Sequence, residues 1–166
     1  DKFNDIDKLI LPGVGAFKKA IENLNYFGFT DKITIFAKSG RPVLGICLGM
    51  QLLFEESEES GKCKGLGLIQ GNIIKIKTDF VLPHMGWNDI SILQNISILN
   101  NINQSSDFYF VHSFRAETDS KNIAATTQYG DTIPAVVFQN NIYGTQFHPE
   151  KSKKWGEILL KNFISL

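Results

Sequence analysis

The chain has 166 residues, of which 43% are hydrophobic and 20% charged, and its 17 basic residues balance its 17 acidic residues. This balance provides no excess of basic residues for nucleic acid or an anionic membrane, and no apolar run reaches the roughly 20 residues that a membrane-spanning helix needs. We therefore expect one cytoplasmic globular domain over residues 1–166, without a signal peptide. Two cysteines are too few for a disulfide framework or a cysteine zinc site, so neither a metal nor a cofactor is expected.

The first third of the chain alternates short apolar runs with helical patterns. A strand is predicted over residues 8–11, just before the Pro-Gly pair at 12–13. Two helices are predicted next, one ending before Gly28 and one over 30–39, because apolar residues recur there at helical spacing. A buried strand over 42–46 and a helix over 48–56 complete the pattern. Strand, helix, strand and helix in this order predict parallel pairing and an α/β fold.

The remainder of the chain favours short strands. Two are predicted around Gly71 in "LGLIQGNIIKIK", and a single strand is predicted over 107–118. Three more follow at hairpin spacing, in "NIAATTQYG", "IPAVVFQN" and "NIYGTQFH", with a tight turn at Asn140 and Asn141. Residues 91–107 predict a short amphipathic helix and a loop. A closing helix from Ser152 presents one apolar face.

Cys47 lies between two glycines in "GICLGMQ", where the predicted strand runs into a helix. The pattern G-x-C-x-G is the cysteine counterpart of a nucleophile elbow. Such a turn places the sulfur beside a helix N-terminus, whose dipole favours the thiolate and whose first N–H groups, beginning with Leu48, can hold an oxyanion. The alternative is a buried cysteine without chemistry, since free cysteine is among the most buried residue types.

His148 is the candidate base for this nucleophile. In "TQFHPEKS" it ends a strand, and Glu150 follows two residues later on the same side of an extended chain. Pro149 disfavours helix at His148. Glu150 is then placed to orient the imidazole against the thiol, which is the geometry of a catalytic triad. An ordinary strand-end loop is the alternative. His84 and His112 have weaker claims, because neither has a carboxylate at the same short spacing.

Taken together, "LPGVGAF", "GICLGMQ" and "GTQFHPEKS" resemble the class I (triad) glutamine amidotransferases. The segments "PHMGWN" and "YFVHSF" make the chain most similar to the glutaminase subunits of imidazole glycerol phosphate synthases, over nearly its whole length. The resemblance implies an α/β fold with a central, mostly parallel sheet flanked by helices. It also implies that one strand-helix unit of the family, about 30 residues, is missing before the first predicted strand, so that the domain is truncated at its N-terminus.

The resemblance also implies a role for each matching residue. Cys47 would attack the carboxamide of L-glutamine, His148 would transfer protons and Glu150 would orient His148. The remaining implied positions are an oxyanion hole at Gly13, Val14 and Leu48, a glutamine pocket at Gly49, Gln51, Glu59, His112, Ser113 and Phe114, and a partner interface at Trp87, Asn88 and Lys151. The implied partner is a (β/α)8-barrel synthase subunit, which forms a heterodimer with the glutaminase and uses its ammonia in histidine biosynthesis.

Three functions stay open on the sequence. The first is this glutaminase subunit, and the second is the same glutaminase serving another acceptor, such as an enzyme that amidates surface sugars. The third is a non-catalytic subunit that only docks a barrel. The intact set of Cys47, His148 and Glu150 argues against the third function, and the missing N-terminal unit argues for it. Nothing in the glutaminase half distinguishes the first two, because the acceptor binds the partner.

Overall fold

A computed structural model describes residue 3 and residues 5–166. Within them, the helices are α1 (Phe17–Tyr26), α2 (Phe29–Lys38), α3 (Leu48–Leu52) and α4 (Lys153–Ile164). The strands are β1 (Leu9–Gly13), β2 (Val43–Cys47), β3 (Glu56–Ser57), β4 (Cys63–Lys64), β5 (Asn72–Lys75), β6 (His84–Asp89), β7 (Ser91–Ile92), β8 (Asp107–His112), β9 (Phe114–Glu117), β10 (Ile123–Gln128), β11 (Thr132–Gln139) and β12 (Ile142–Thr145). Short 3-10 helices occupy Ser97–Leu99, Ser120–Asn122 and Pro149–Lys151. No helix in the described ranges is long and apolar enough to cross a membrane.

The central sheet has the strand order β1-β2-β12-β11-β10-β7. Strand β2 pairs in parallel with β1 and β12, whereas the other three pairings are antiparallel. The predicted α/β class is confirmed, but the prediction of a mostly parallel sheet is wrong, because this sheet is mixed. Helices α1 and α2 provide the long crossover that parallel β1 and β2 need, while short turns, including the predicted turn at Asn140 and Asn141, connect β10, β11 and β12 and impose antiparallel pairing.

Strand β2 lies between β1 and β12 in the sheet and is buried at every position. Val43 faces the apolar cluster built around α1, α2 and α3, and Leu44 and Ile46 face the cluster built around β8 and α4. Both faces of the sheet are therefore covered by helices or strands, which explains the continuous apolar run in this segment. The strand delivers Cys47 to its carboxyl end, in register with Gly13 of the neighbouring β1.

Two smaller sheets flank this core. One has the order β4-β3-β5-β9, and the other pairs β6 with β8. The single strand predicted over 107–118 is therefore wrong: the chain leaves β8 at His112, and after Ser113 it joins a different sheet as β9. Strands β3, β4 and β6 were not predicted, because two of them are only two residues long and β6 contains a glycine and mostly polar or exposed residues. The crossing at Ser113 leads the chain past Cys47.

The helix predicted over 48–56 ends at Leu52. Backbone N–H groups of residues 65–69 bond to the carbonyls of residues 52–55, so the chain beyond the helix is held by a distant loop. The same bonds explain why the strand predicted before Gly71 is a loop, while the one after it is confirmed as β5. Residues 91–107 contain β7, which was not predicted, and a three-residue 3-10 helix in place of the predicted short amphipathic helix. The remaining predicted helices, α1, α2 and α4, are confirmed.

Candidate active site

The turn at Cys47 is as sharp as the glycine spacing predicts. Cys47 has φ 52° and ψ −111°, a conformation that side chains other than glycine rarely adopt. A Cβ on Gly45 would lie 2.6 Å from the Cα of Met50, and one on Gly49 would overlap the carbonyl oxygen of Leu11. Glycine is needed at both positions because α3 folds back against β1 and β2. This close approach holds Cys47 at the carboxyl end of β2.

The sulfur opens into a pocket of about 310 Å³. Its walls come from the loop after β1, the elbow, the loop after β3 and the crossing from β8 to β9. The lining residues are Val14, Gly15, Cys47, Leu48, Gln51, Glu59, Val111, His112, Ser113, Phe114 and His148. The structure thus brings most of the predicted site residues together around one cysteine, although they are spread over a hundred residues of sequence.

Of the residues predicted for the triad, the oxyanion hole and the glutamine pocket, three do not line this pocket: Gly13, Gly49 and Glu150. Gly13 lies beside Cys47 through the register of β1 and β2, and it borders an adjoining cavity together with Glu150, on the other side of His148. Gly49 is buried against the carbonyl of Leu11, which gives it a packing role. A substrate contact by Gly49 and an oxyanion contact by Gly13 stay predictions.

His148 is fixed from both sides. Its Nδ1 lies 2.7 Å from Oε1 of Glu150, and since a carboxylate only accepts, Nδ1 carries the proton and donates it. The backbone N–H of His148 donates to the carbonyl of Tyr109 at 2.9 Å, and its carbonyl accepts from the Ser152 hydroxyl at 2.6 Å. The histidine side chain is 3% exposed, whereas that of Glu150 is 48% exposed. A buried, oriented imidazole therefore presents the lone pair of Nε2.

Burial raises the pKa of the Cys47 thiol to about 11. The backbone N–H of Leu48 acts against this rise, the charge of Glu150 adds to it, and the charge of Lys151 and the amide of Gln146 lower it. At neutral pH the sulfur is thus a thiol in the free pocket. It needs a base close by to become a nucleophile.

Gln146 belongs to the site, although the sequence did not single it out. Its Nε2 lies 3.9 Å from the sulfur of Cys47, and its Oε1 lies 3.3 Å from Nε2 of Gln51. The same Gln51 nitrogen donates to the carbonyl of Phe114 at 3.2 Å. The available signal was position, since Gln146 precedes His148 by two residues at the end of a strand. The two amides thus connect the strand end beside Cys47 to the pocket wall at Phe114.

Glu59 holds the rim of the pocket. Its Oε2 accepts the backbone N–H of Phe17 at 2.7 Å, at the start of α1, where a negative charge is favourable. This bond anchors the loop that carries Val14, whose side chain is 78% exposed. Among residues 3 and 5–166, no group of three or more His, Cys, Asp or Glu is arranged to hold a metal ion.

Strands β6 and β8 present an exposed surface next to the site, which we call the outer face and define as Met85, Trp87, Tyr109, Lys151 and Lys153. Trp87 is 47% exposed and its ring lies 6.0 Å from that of Tyr109. The Lys153 ammonium lies 5.1 Å from the Trp87 ring, and that of Lys151 lies 5.9 Å from the Tyr109 ring. Two of the three predicted partner residues, Trp87 and Lys151, therefore share one surface.

Asn88, the third predicted partner residue, points to the opposite side of β6. Its Nδ2 donates to the carbonyl of Gln128 at 2.9 Å and lies 3.2 Å from Nε2 of His84. The backbone N–H of Asp89 donates to its Oδ1 at 3.0 Å. These three bonds fix the orientation of the amide. A partner contact by Asn88 stays a prediction.

The family model "Glutamine amidotransferase class-I" matches residues 2–166 of the chain. The chain is 47% identical over 164 residues to imidazole glycerol phosphate synthase subunit HisH 1 of Campylobacter jejuni (strain RM1221), with 96% of this chain and 81% of that protein covered. It is 48% identical over 160 residues to the HisH subunit of Methanocaldococcus jannaschii, with the same coverage, and 44% identical over 165 residues to that of Lactococcus lactis, covering 99% of this chain and 82% of the relative.

Solved structures agree on the fold. The structure of PurLQS from Thermotoga maritima superposes with a TM-score of 0.72 at 20% identity, covering 98% of this chain and 80% of that one. The glutaminase domain of Trypanosoma brucei CTPS with bound acivicin gives a TM-score of 0.64 at 15% identity, covering 99% and 73%. The elbow, the His148–Glu150 pair and these similarities lead to one conclusion. The chain belongs to the class I glutamine amidotransferases and, within them, to the HisH subunits of imidazole glycerol phosphate synthase.

Proposed function

We propose that the chain hydrolyses L-glutamine to glutamate and ammonia through Cys47, His148 and Glu150. We further propose that it delivers the ammonia to a (β/α)8-barrel synthase subunit, as the glutaminase half of an imidazole glycerol phosphate synthase in histidine biosynthesis. The names of its HisH relatives support this acceptor over a surface-sugar amidating enzyme. The complete cysteine, histidine and glutamate set argues against a subunit that only docks.

One observation carries the catalytic proposal. Among the described residues, Nε2 of His148 is the one buried side-chain nitrogen or oxygen without a hydrogen-bond partner. Leaving a buried polar atom unpaired costs on the order of 1–3 kcal/mol, so such atoms are rare unless they serve a function. His148 lines the same pocket as Cys47, and the bond from Nδ1 to Glu150 sets the orientation of the ring that carries Nε2.

The first half of the reaction follows from these groups. As the sulfur of Cys47 bonds to the carboxamide carbon of glutamine, its proton moves to Nε2 of His148, so the high pKa of the thiol does not have to be overcome in advance. The carbonyl oxygen becomes an oxyanion that the N–H of Leu48 is placed to hold, with a second donor expected from the Gly13–Val14 backbone. Glu150 stabilises the imidazolium that forms.

Collapse of the tetrahedral intermediate breaks the carbon–nitrogen bond. The amide nitrogen takes the proton from Nε2 of His148 and leaves as ammonia, and a glutamyl thioester remains on Cys47. Water then attacks the thioester carbon while Nε2 takes one of its protons. The second tetrahedral intermediate expels the sulfur, which recovers that proton, and glutamate is released. The triad returns to its starting state with no net change.

The outer face suits a partner subunit. Exposed Met85 and Trp87 are of residue types that are enriched at protein interfaces, and the ammonium groups of Lys151 and Lys153 lie beside the aromatic rings, where they suit the polar rim of an interface. Through the bond between Tyr109 and the backbone of His148, this face is also connected directly to the proposed base. Ammonia in water is mostly ammonium at neutral pH, so release into a closed interface keeps it nucleophilic.

Covalent labelling tests the proposal. The chain is incubated with the diazo-ketone analogue of glutamine, with and without a barrel synthase subunit, and the adduct is located by peptide mass. We expect an adduct on Cys47 that glutamine prevents, while partly exposed Cys63 serves as the control in the same chain. A folded chain that gives no adduct in either condition, or an adduct on Cys47 that glutamine does not reduce, would overturn the proposed chemistry.

A further inference from the structure

Two buried histidines outside the triad form a contact that the reaction above does not use. Nδ1 of His84 lies 3.0 Å from Nε2 of His112. His84 is 2% exposed and is stacked between the rings of Phe110, at 4.8 Å, and Tyr129, at 4.1 Å. His112 is 6% exposed and lines the glutamine pocket. The pair thus joins β6 to the wall of the active site.

The donors and acceptors along this contact are fixed by their outer partners. Nδ1 of His112 lies 2.8 Å from the carbonyl of Phe114, and a carbonyl only accepts, so this nitrogen carries a proton. In a neutral imidazole the other nitrogen is then an acceptor, so Nδ1 of His84 is the donor to it. Nε2 of His84 accepts in turn from the amide of Asn88, whose orientation is set by Gln128 and Asp89.

Burial keeps both rings neutral, as this arrangement requires. It lowers the pKa of His84 to about 4 and that of His112 to about 3, with the neighbouring His84 and His148 adding to the depression at His112. Each ring therefore has one donor and one acceptor at neutral pH. Only one assignment of donors and acceptors therefore satisfies the contacts from Asn88 through His84 and His112 to Phe114.

The chain of bonds ends on the substrate pocket. The carbonyl of Phe114 accepts from His112 at 2.8 Å and from Nε2 of Gln51 at 3.2 Å. It lies just after the crossing at Ser113, where the backbone belongs to neither β8 nor β9. Phe114 begins β9 opposite Lys75, and the carbonyl of Ser113 accepts the N–H of Ile76 at 3.0 Å. The bond from His112 adds a side-chain contact at the point where the chain changes sheets.

We propose that His84 is a positioning residue for glutamine binding, an inference that rests on the proposed function. The N–H bond from His84 to Nε2 fixes the ring orientation of His112, whose Nδ1 proton is already set by the Phe114 carbonyl, and so helps to hold the pocket wall at residues 112–114. His84 touches neither the substrate nor the triad. Its removal affects the affinity for glutamine more than the rate of the chemical step.

Three variants separate the hydrogen bond from packing. His84→Phe keeps a stacked ring and removes both nitrogens, whereas His84→Asn loses the ring and keeps an N–H donor close to the position of Nδ1. Tyr129→Phe is the control, because it keeps the stacking on His84 and removes only a hydroxyl that donates to the carbonyl of Val81. Each variant is assayed as the complex with a barrel synthase subunit, and KM and kcat for glutamine are measured separately.

We expect His84→Phe to raise KM for glutamine on the order of tenfold with kcat within about twofold of wild type. His84→Asn should recover most of the lost affinity, and Tyr129→Phe should match the wild type. The proposal is overturned if His84→Phe has the wild-type KM, or if His84→Asn is as impaired as His84→Phe, since ring packing would then be the cause.

A second readout does not depend on glutamine hydrolysis. The 15N shift of Nε2 of His112 reports whether this nitrogen accepts a hydrogen bond, which we expect in the wild type and in His84→Asn and not in His84→Phe. The same Nε2 shift in all three proteins would overturn the positioning role. If the wild-type complex hydrolyses no glutamine, the proposed function fails by itself, and the shift still decides whether His84 donates to His112.

Discussion

Replacing Gly45 by alanine would place a methyl group where the backbone of α3 already lies. Its Cβ would be 2.6 Å from both N and Cα of Met50 and 2.7 Å from the carbonyl carbon of Gly49. Ordinary contacts begin at 3.4 Å, so the helix would have to move by roughly 0.8 Å. Cys47 lies between the two segments that would collide, β2 and α3, so a shift of either one moves its sulfur. The substitution therefore tests whether close approach of strand and helix builds the site.

The collision cannot be relieved by a rotamer change, because every atom involved is backbone. The carbonyls at the end of α3 are also bonded to residues 65–69, which resist a shift of the helix. We expect Gly45→Ala to lower the free energy of unfolding by about 3 kcal/mol, the upper end of what overpacking a core usually costs, because only backbone can move. Gly28→Ala is the matched control, since nothing lies within 4 Å of its Cβ and only its φ of +69° is strained, which costs about 1–2 kcal/mol.

Equilibrium urea unfolding of the wild type and both variants gives these free energies from the transition midpoints. Labelling of Cys47 by the glutamine analogue, measured on the folded fraction, then reports whether the elbow keeps its geometry. If Gly45→Ala is no more destabilised than Gly28→Ala and is labelled like the wild type, the steric account of the elbow is refuted.

Three further predictions concern the groups around the thiol. Glu150→Gln should lower kcat on the order of tenfold to a hundredfold, less than loss of the thiol, because water screens this half-exposed carboxylate; steady-state assays showing full activity would contradict its orienting role. Gln146→Leu leaves the Gln51 amide with one bond and should reduce glutamine turnover about tenfold, and unchanged kinetics would remove Gln146 from the site. Burial lowers the pKa of His84 to about 4 and that of His112 to about 3, so as the pH falls below about 6.5 the unfolded chain takes up protons before the folded chain does. The free energy of unfolding, measured by urea titration, should therefore decrease from about pH 6.5 towards pH 4. A flat profile would count against two buried neutral histidines.

The parts of the site that sequence reasoning could predict are local in the chain. The spacing of Gly45, Cys47 and Gly49 predicts a tight turn, because a side chain at either glycine would collide with backbone. His148 and Glu150 are two residues apart, so an extended backbone between them is enough to bring their side chains into contact. Each of these patterns is complete within five residues. Both the turn at Cys47 and the contact of His148 with Glu150 follow from local sequence, and tertiary packing only stabilises them.

The parts that sequence reasoning missed depend on distant segments. The bond between Gln51 and Gln146 joins residues 95 apart, and that between His84 and His112 joins residues 28 apart in two strands of which only one was predicted. The early end of α3 follows from a loop that begins at Gly65. None of these pairings leaves a periodic signal, because each is set by tertiary contacts that override local preference.

The most direct test of the central claim compares two nitrogen sources in the complex with a barrel synthase subunit. The wild type and Cys47→Ala are assayed for product formation with glutamine and, separately, with ammonium salt. We expect Cys47→Ala to lose glutamine-dependent synthesis by at least about a thousandfold and to keep ammonia-dependent synthesis close to the wild-type rate. Synthesis from glutamine that survives the substitution would contradict the assignment of Cys47 as the nucleophile and the mechanism built on it.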